Sequence, residues 1–249
     1  MPKLLRYGLT AVLLFAPLTA AAATGGDGAG GSALEAVSGS LSGKAIGMVA
    51  LLTVLSLAPG ILMTVTSFTR IVVALSLLRT GLGAQGVPPN PVIISLALFL
   101  SMFVMTPTLE AAWTAGIKPY TEGKISEDVA FEKTAAPFRK FMLSQVRDDD
   151  IALFNGLAAQ PAKTRAEVPL GTLIPAFMIS ELRRAFEIGF LLLLPFLVID
   201  LAVSAVLMAM GMMMLPPTTI ALPCKIIFFV LVDGWALVAG SLIRSFGSG

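Results

Sequence analysis

Hydrophobic residues gather in four long apolar stretches separated by short polar breaks, and none of the four has the length of a simple membrane crossing. The first runs from Ile46 to Leu78, about 50 Å as continuous helix against a hydrocarbon core of roughly 30 Å. Pro59-Gly60 is expected to break it. The second, Val92 to Met105, spans a bilayer only if it extends through Thr106-Pro107 towards Trp113. The third starts at Leu173 and reaches Leu215, too long for one crossing even with a kink at Pro195. The fourth, Thr218 to Phe246, is again long and carries Pro223, Lys225 and Asp233. Such helices predict hairpins packed against protein as much as against lipid. The expected fold is an all-α membrane protein of long kinked helical hairpins, with a small, mainly helical extracytoplasmic segment.

Residues 1–23 stand apart from that pattern. Lys3 and Arg6 form a basic start, Leu9 to Ala16 a short apolar run, and Ala21-Ala22-Ala23 a small-residue site, so a signal peptide cleaved after Ala23 is expected. A Gly-rich leader follows over residues 24–43. The first helical hairpin is then expected over 44–114, the extracytoplasmic segment over 115–171, and a second hairpin with a methionine-rich loop over 172–249. The segment 115–171 carries eight basic and eight acidic residues that cancel, and a start outside with four crossings in all puts it and the C-terminus outside. Within it, Phe138, Phe141, Met142 and Gln145 fall at helical spacing, and Asp148-Asp149-Asp150 is expected to end one helix and cap the next.

Composition reinforces the membrane class. Of 249 residues, 56% are hydrophobic and 13% charged, about half the charged share of a soluble domain. A net charge of +2 from thinly spread residues supplies no basic stripe, so nucleic acid is not an expected partner. The single cysteine, Cys224, has no internal disulfide partner.

Candidate chemistry is sparse. With no histidine in the chain, the usual zinc sites and histidine-based triads are excluded. Gly39, Gly43 and Lys44 lack both the glycine spacing and the hydroxyl of a phosphate loop, Ala45 standing where the hydroxyl belongs. Gly81, Gly83 and Gly86 have dinucleotide spacing but lead into Pro88-Pro89 instead of opening a helix. The aspartate triplet has no second ligand cluster. No catalytic residue, metal or cofactor is expected, and the chain is read as a non-enzyme.

Several runs carry a family resemblance: TSFTRIVVALSLLR from Thr66, PPNPVIISLALFLSMFVMTP from Pro88, FMLSQVRDDDIALF from Phe141, LIPAFMISELRRAFEIGFLLLLPFLVIDL from Leu173, VLMAMGMMMLPP from Val206 and FVLVDGWALVAGSL from Phe229. In sequence and in order they resemble the FliP family of flagellar type III export-gate subunits and its virulence-secretion counterparts. Departures are Pro91, Val146, Asp148 and Cys224, of which Pro91 bears on where the second helix starts. The resemblance implies an inner-membrane gate subunit of the flagellar basal body, standing largely on the periplasmic side. It implies about five copies in one right-handed helical cone with FliQ-like and FliR-like subunits. Other partners are further flagellar export proteins, membrane lipid and the unfolded flagellar proteins exported through the centre. The signal peptide favours the flagellar over the virulence-type system. A subunit of an ion-coupled transporter or channel, and a scaffold without a pore, are the alternatives on the residues alone.

Three groups of residues are singled out. Met210, Met212, Met213 and Met214 surround Gly211, and the resemblance places this loop at the gate constriction, where unbranched methionine packs in several shapes. Glu181 and Lys225 sit in apolar arms where a lone charge is expensive. Glu181 has Arg184 at i+3 and Arg183 has Glu187 at i+4, whereas Lys225 has no local partner, so a Glu181–Lys225 pair between copies is expected, with Asp200 or Asp233 as the other acceptors. Arg70, Asp200 and Asp233 are expected to be buried structural charges, Asp233 accepting hydrogen bonds from a neighbouring helix or from Arg70.

Overall fold

The computed structural model describes residues 48, 52, 56, 60, 63–84, 86–158, 160–212 and 216–247. It divides into two units, Met1–Val54 and Leu55–Gly249, and every helix from Phe68 onward belongs to the second. The signal peptide, Ala23, the leader, Met213 and Met214 lie outside the described residues. All regular structure among the described residues is helical. The main helices are α1 (Phe68–Leu82), α2 (Asn90–Ala112), the short α3 (Lys118–Thr121), α4 (Glu127–Gln145), α5 (Asp148–Leu157), α6 (Leu170–Ala209), α7 (Pro217–Leu231) and α8 (Gly234–Gly247).

The chain pauses before α1 at Thr66-Ser67, where the Thr66 hydroxyl accepts the Phe68 N–H at 3.3 Å. Thr69 Oγ1 donates to the Met63 carbonyl across the pause. Gly83 closes α1 with φ of 72°, a left-handed position that glycine fills without strain. The chain returns through α2, and Ser67 Oγ lies 2.9 Å from Ser101 Oγ, which fixes the hairpin's register. Pro91 falls in the first turn of α2, where its missing N–H has no helical partner to lose. Pro107 is absorbed inside the same helix. Trp113–Ile117 widen into a π turn, and the apolar helix continues to Thr121, 32 residues in all.

The third apolar stretch is one helix. α6 holds 40 residues, about 60 Å long, and contains Pro175 and Pro195. The fourth, read from the sequence as one long stretch from Thr218 to Phe246, is two helices. Pro223 stays inside α7, while α7 and α8 meet at 66° through Val232 and Asp233, with Asp233 at φ of 51°. Gly234 at the corner lies against the Phe229 ring, and Trp235 meets that ring edge-on at 5.2 Å. The aspartate triplet is also placed differently. Arg147, which makes no side-chain capping hydrogen bond, occupies the cap, and Asp148, Asp149 and Asp150 form the first turn of α5, where acidic groups favour the helix dipole.

Two apolar cores result. In one, α1 is wrapped by α2, α6, α7 and α8 through Ile71, Leu75, Leu78, Ile93, Phe196 and Leu242. In the other, α4, α5 and the start of α6 close on Met142, Ile151, Val168, Leu173 and Phe177. Phe141 joins them, edge-on to Phe177 at 6.0 Å and stacked on Phe246 at 6.3 Å. α1 and α6 run side by side in the same direction, since Arg70 pairs with Glu181 while Gly189 abuts Leu77 and Gly81 abuts Leu193.

The π turn docks on α4 at Gly116, where an added Cβ would lie 2.7 Å from Thr134 N and 2.8 Å from Ala130 O. Backbone cannot swing aside as a side chain can. Gly116→Val is expected to destabilise the protein by roughly 2 kcal/mol, read as a lowered midpoint of thermal unfolding in detergent. Gly156→Ala, with open space around it, should match the parent or exceed it.

Candidate functional site

At the junction of the two cores lies a buried arginine with every donor engaged. Arg70 is fully buried, as is Glu181. Arg70 Nε donates to Glu181 Oε2 at 2.9 Å and Nη2 to Glu181 Oε1. Nη2 also donates to Gln145 Oε1 at 3.0 Å. Nη1 donates to the Ser245 carbonyl at 3.0 Å and to Ser245 Oγ at 3.2 Å. The Phe246 ring covers the guanidinium, its centroid 3.7 Å from the central carbon. Gln145 Nε2 donates to the Phe246 carbonyl, and Arg184 Nη1 donates to Gln145 Oε1. One side chain thus ties α1, α4, α6 and the last turn of α8 together.

A second pair lies nearer the Gly83 end of α1. Lys225 Nζ donates to Asp200 Oδ2 at 2.7 Å and to the Gly81 carbonyl at 3.0 Å. Lys225 is buried, and Asp200, the more exposed partner, keeps a buried Oδ1 with no hydrogen bond. The pair holds α7 against α6 and the end of α1.

These contacts re-sort the charges expected from sequence. Arg70 and Asp200 are structural charges with partners inside the chain, Arg70 wholly buried and Asp200 only partly. Asp233 is exposed, and Arg70 is bound to Glu181 instead of to Asp233, which corrects the expectation of an Arg70–Asp233 contact. The local helix pairs are not used either: Glu181 faces Arg70, Arg184 faces Gln145, and Glu187 lies 3.7 Å from Arg147. Glu181 and Lys225 each have a partner in their own chain, so a pair between copies would have to displace Arg70 and Asp200. Sequence reasoning passed over Gln145 and Ser245 as acceptors. The available signal was the arithmetic of guanidinium donors, since a buried arginine needs five acceptors, and these are among the few polar residues flanking apolar runs.

Of the methionine loop, Met210, Gly211 and Met212 are among the described residues. Met210 ends α6, Gly211 turns the chain at φ of 74°, and both Met210 and Met212 are exposed. Nearby, an apolar hollow between α6 and α7 is lined by Ala202, Val203, Val206, Leu207 and Ile220. No group of residues that could hold a metal ion occurs among the described residues.

Two helices, Asn90–Thr121 and Leu170–Ala209, are long and apolar enough to cross a membrane, and the bent pair α7–α8 makes a third if it counts as one span. With Glu181 and Asp200 of the longer helix held in ion pairs inside the fold, this architecture defines a polytopic helical membrane protein. The matching family model, FliP family, covers residues 51–242. A flagellar biosynthetic protein FliP of Caulobacter vibrioides is 60% identical over 210 residues, covering 84% of this chain and 79% of that protein. Proteins of the same name from Rhizobium meliloti and Bacillus subtilis are 54% and 51% identical, covering 84% and 79% of this chain and 87% and 89% of their own. The chain belongs to the FliP family.

The buried pair yields a directional test. Arg70→Met leaves Glu181 buried without its cation and should destabilise the fold by about 3–5 kcal/mol. Arg70→Lys should restore little, because one ammonium cannot reach five acceptors in a plane. Arg70→Met combined with Glu181→Leu should recover more than half of the loss. Unfolding midpoints of the four proteins in one detergent check the ranking.

Proposed function

We propose that the chain is a core subunit of the flagellar type III protein export gate. On this reading several copies join FliQ-like and FliR-like membrane subunits in the inner membrane, at the flagellar basal body. Unfolded flagellar proteins pass through the conduit they enclose, and much of the assembly stands on the periplasmic side. Family membership supports the flagellar setting, and the relatives share the name flagellar biosynthetic protein.

The observation that carries the reading is the apolar helix surface the chain cannot cover itself. In the most apolar stretch of Asn90–Thr121 only 22% is buried within the chain, and in that of Leu170–Ala209 only 11%. Phe99, Phe103, Phe190, Leu201 and Leu231 project outward from α2, α6 and α7. Surface of this extent needs lipid or neighbouring chains, and at about 60 Å α6 is twice the hydrocarbon thickness. Lipid alone cannot cover it. Neighbouring subunits can, and that argues for an assembly standing proud of the bilayer.

The methionine loop supports a role at the constriction. Met210 and Met212 stand exposed beside a left-handed glycine. A ring of such loops seals a passage and still deforms around a bulky chain. Energy for transport would come from other parts of the machine.

Native mass spectrometry of the complex co-expressed with its FliQ-like and FliR-like partners should give about five copies of this chain, whereas a transporter would give one or two. Deleting Met212 to Met214 should raise ion leakage through membranes by roughly tenfold while the complex still forms. Unchanged conductance in a formed complex would remove the constriction from the proposal.

A further inference from the structure

Once the internal pairs are set aside, two charges of opposite sign are left facing outward from the apolar helices. Arg70 neutralises Glu181, and Lys225 neutralises Asp200. Glu187 faces Arg147, Arg184 donates to Gln145, and Arg79 donates to Asn90 Oδ1. Arg244 donates to the Gly240 carbonyl in the last turn of α8, and Glu110 stands at the end of α2 that leads into the polar segment. Among the described residues of α1, α2 and α6 to α8, this leaves Arg183 on α6 and Asp233 at the α7–α8 corner. Both are exposed, and neither has a side-chain partner in the chain.

Their surroundings make that isolation expensive. Arg183 is flanked by exposed Ile179, Phe186 and Phe190, and Asp233 by exposed Val230, Leu231 and Leu237. Against lipid or an apolar neighbour, a charge in such an apron needs a partner of the opposite sign. Asp233 also holds φ of 51°, a conformation costing on the order of 1–3 kcal/mol outside glycine. Its backbone role there, accepting the Leu237 N–H, is one that glycine would fill without strain, so the carboxylate itself accounts for the aspartate.

We infer that Arg183 of one copy of this chain pairs with Asp233 of the next. The inference rests on the multi-copy assembly proposed above and names its contact. Arg183 and Asp233 lie on different parts of the chain, so a contact that joins them leaves one of each unpaired at its ends and repeats. That is a head-to-tail interface, which builds a ring or a helix and not a twofold dimer. The apolar residues around each charge exclude water from the pair, the arrangement in which a charged contact is most discriminating. The heights differ. Phe229 packs on Phe196 at 6.2 Å, so Asp233, one turn further on, falls near residue 192 of α6, roughly 13 Å along the helix from Arg183. Copies joined through these residues are staggered along the helix axis.

The test uses the full complex in native membranes with Cys224→Ser as background. Arg183→Cys and Asp233→Cys are placed on separate, differently tagged copies and treated with a short bismaleimide, because an arginine side chain holds the backbones too far apart for a disulfide. A product at twice the chain mass that contains both tags is expected. Its absence, where native mass spectrometry still finds several copies, overturns the pairing, as does Arg183→Cys linking mainly to itself. A single copy per complex would instead overturn the multi-copy assembly. In parallel, Arg183→Glu and Asp233→Arg should each lower the assembled fraction by roughly tenfold, and the two together should recover to within about threefold of the parent. If Arg183→Glu assembles normally and loses only co-purifying anionic lipid, Arg183 belongs to a headgroup and the inference fails.

Discussion

The meeting of α1, α4, α6 and α8 is organised by the burial of one guanidinium. Arg70 sits where two apolar cores meet, and its five donors reach Glu181, Gln145 and Ser245 on three other helices. Burial makes this geometry exacting, because a charge out of water tolerates no missing partner. A hydrophobic residue there would pack as well and specify less. α1, α4, α6 and α8 have little freedom to slide, since a one-residue slip of any of them would strand a charge or a carbonyl. The planar fork of arginine also accounts for the choice over lysine, whose ammonium would leave acceptors empty.

The charged anchors lie at different levels of the same helix pair. Arg70–Glu181 fixes the end of α1 nearest α4 and α5, and Lys225–Asp200 fixes the other end through the Gly81 carbonyl. Between them the contacts are apolar and close, with Gly189 against Leu77 and Gly81 against Leu193 and Phe196. Glycine at these points lets α1 and α6 approach more nearly than side chains would allow. The pair behaves as one thick rod pinned at both ends, onto which α2, α7 and α8 pack. Much apolar surface of α2 and α6 remains outside this rod, left uncovered by the chain itself.

Much of this was legible in the sequence because apolar stretches report directly on helices. The all-α class, the long hairpins, the extension of α2 past Pro107 and the choice of Arg70 as a buried charge all came from runs of hydrophobic residues and their interruptions. Local spacing was the weaker guide. Arg183 and Glu187 stand at i and i+4, which suggests a satisfied pair, yet Arg147 approaches Glu187 from the α4–α5 junction. Arg70 and Glu181 are 111 residues apart, so no window of sequence joins them. Pro223 is the residue of the last stretch that sequence would single out for a bend, yet it is absorbed inside α7. The real corner is set by Asp233 in a left-handed conformation and Gly234 against Phe229, a tertiary arrangement invisible to periodicity.

The contrast between the two ends of α6 bears on what such a subunit can do. Its first half is locked by ion pairs, hydrogen bonds and a second core formed with α4 and α5. Its last two turns carry exposed Val206, Met208 and Met210 and end in a left-handed glycine, with no charged contact from Leu201 to Met212 among the described residues. A passage for unfolded protein has opposed requirements. It needs a rigid frame so that opening at one point does not scatter the subunits, and a seal that yields at low cost. Ion pairs in a dry core are suited to the frame because they are intolerant of displacement, whereas dispersion contacts between methionines exchange one packing for another at nearly equal energy. On the proposed function, placing both on one 40-residue helix would let the seal move while its base stays fixed. The same separation assigns charge in this chain to helix register and, on the proposed function, leaves the passage to apolar packing.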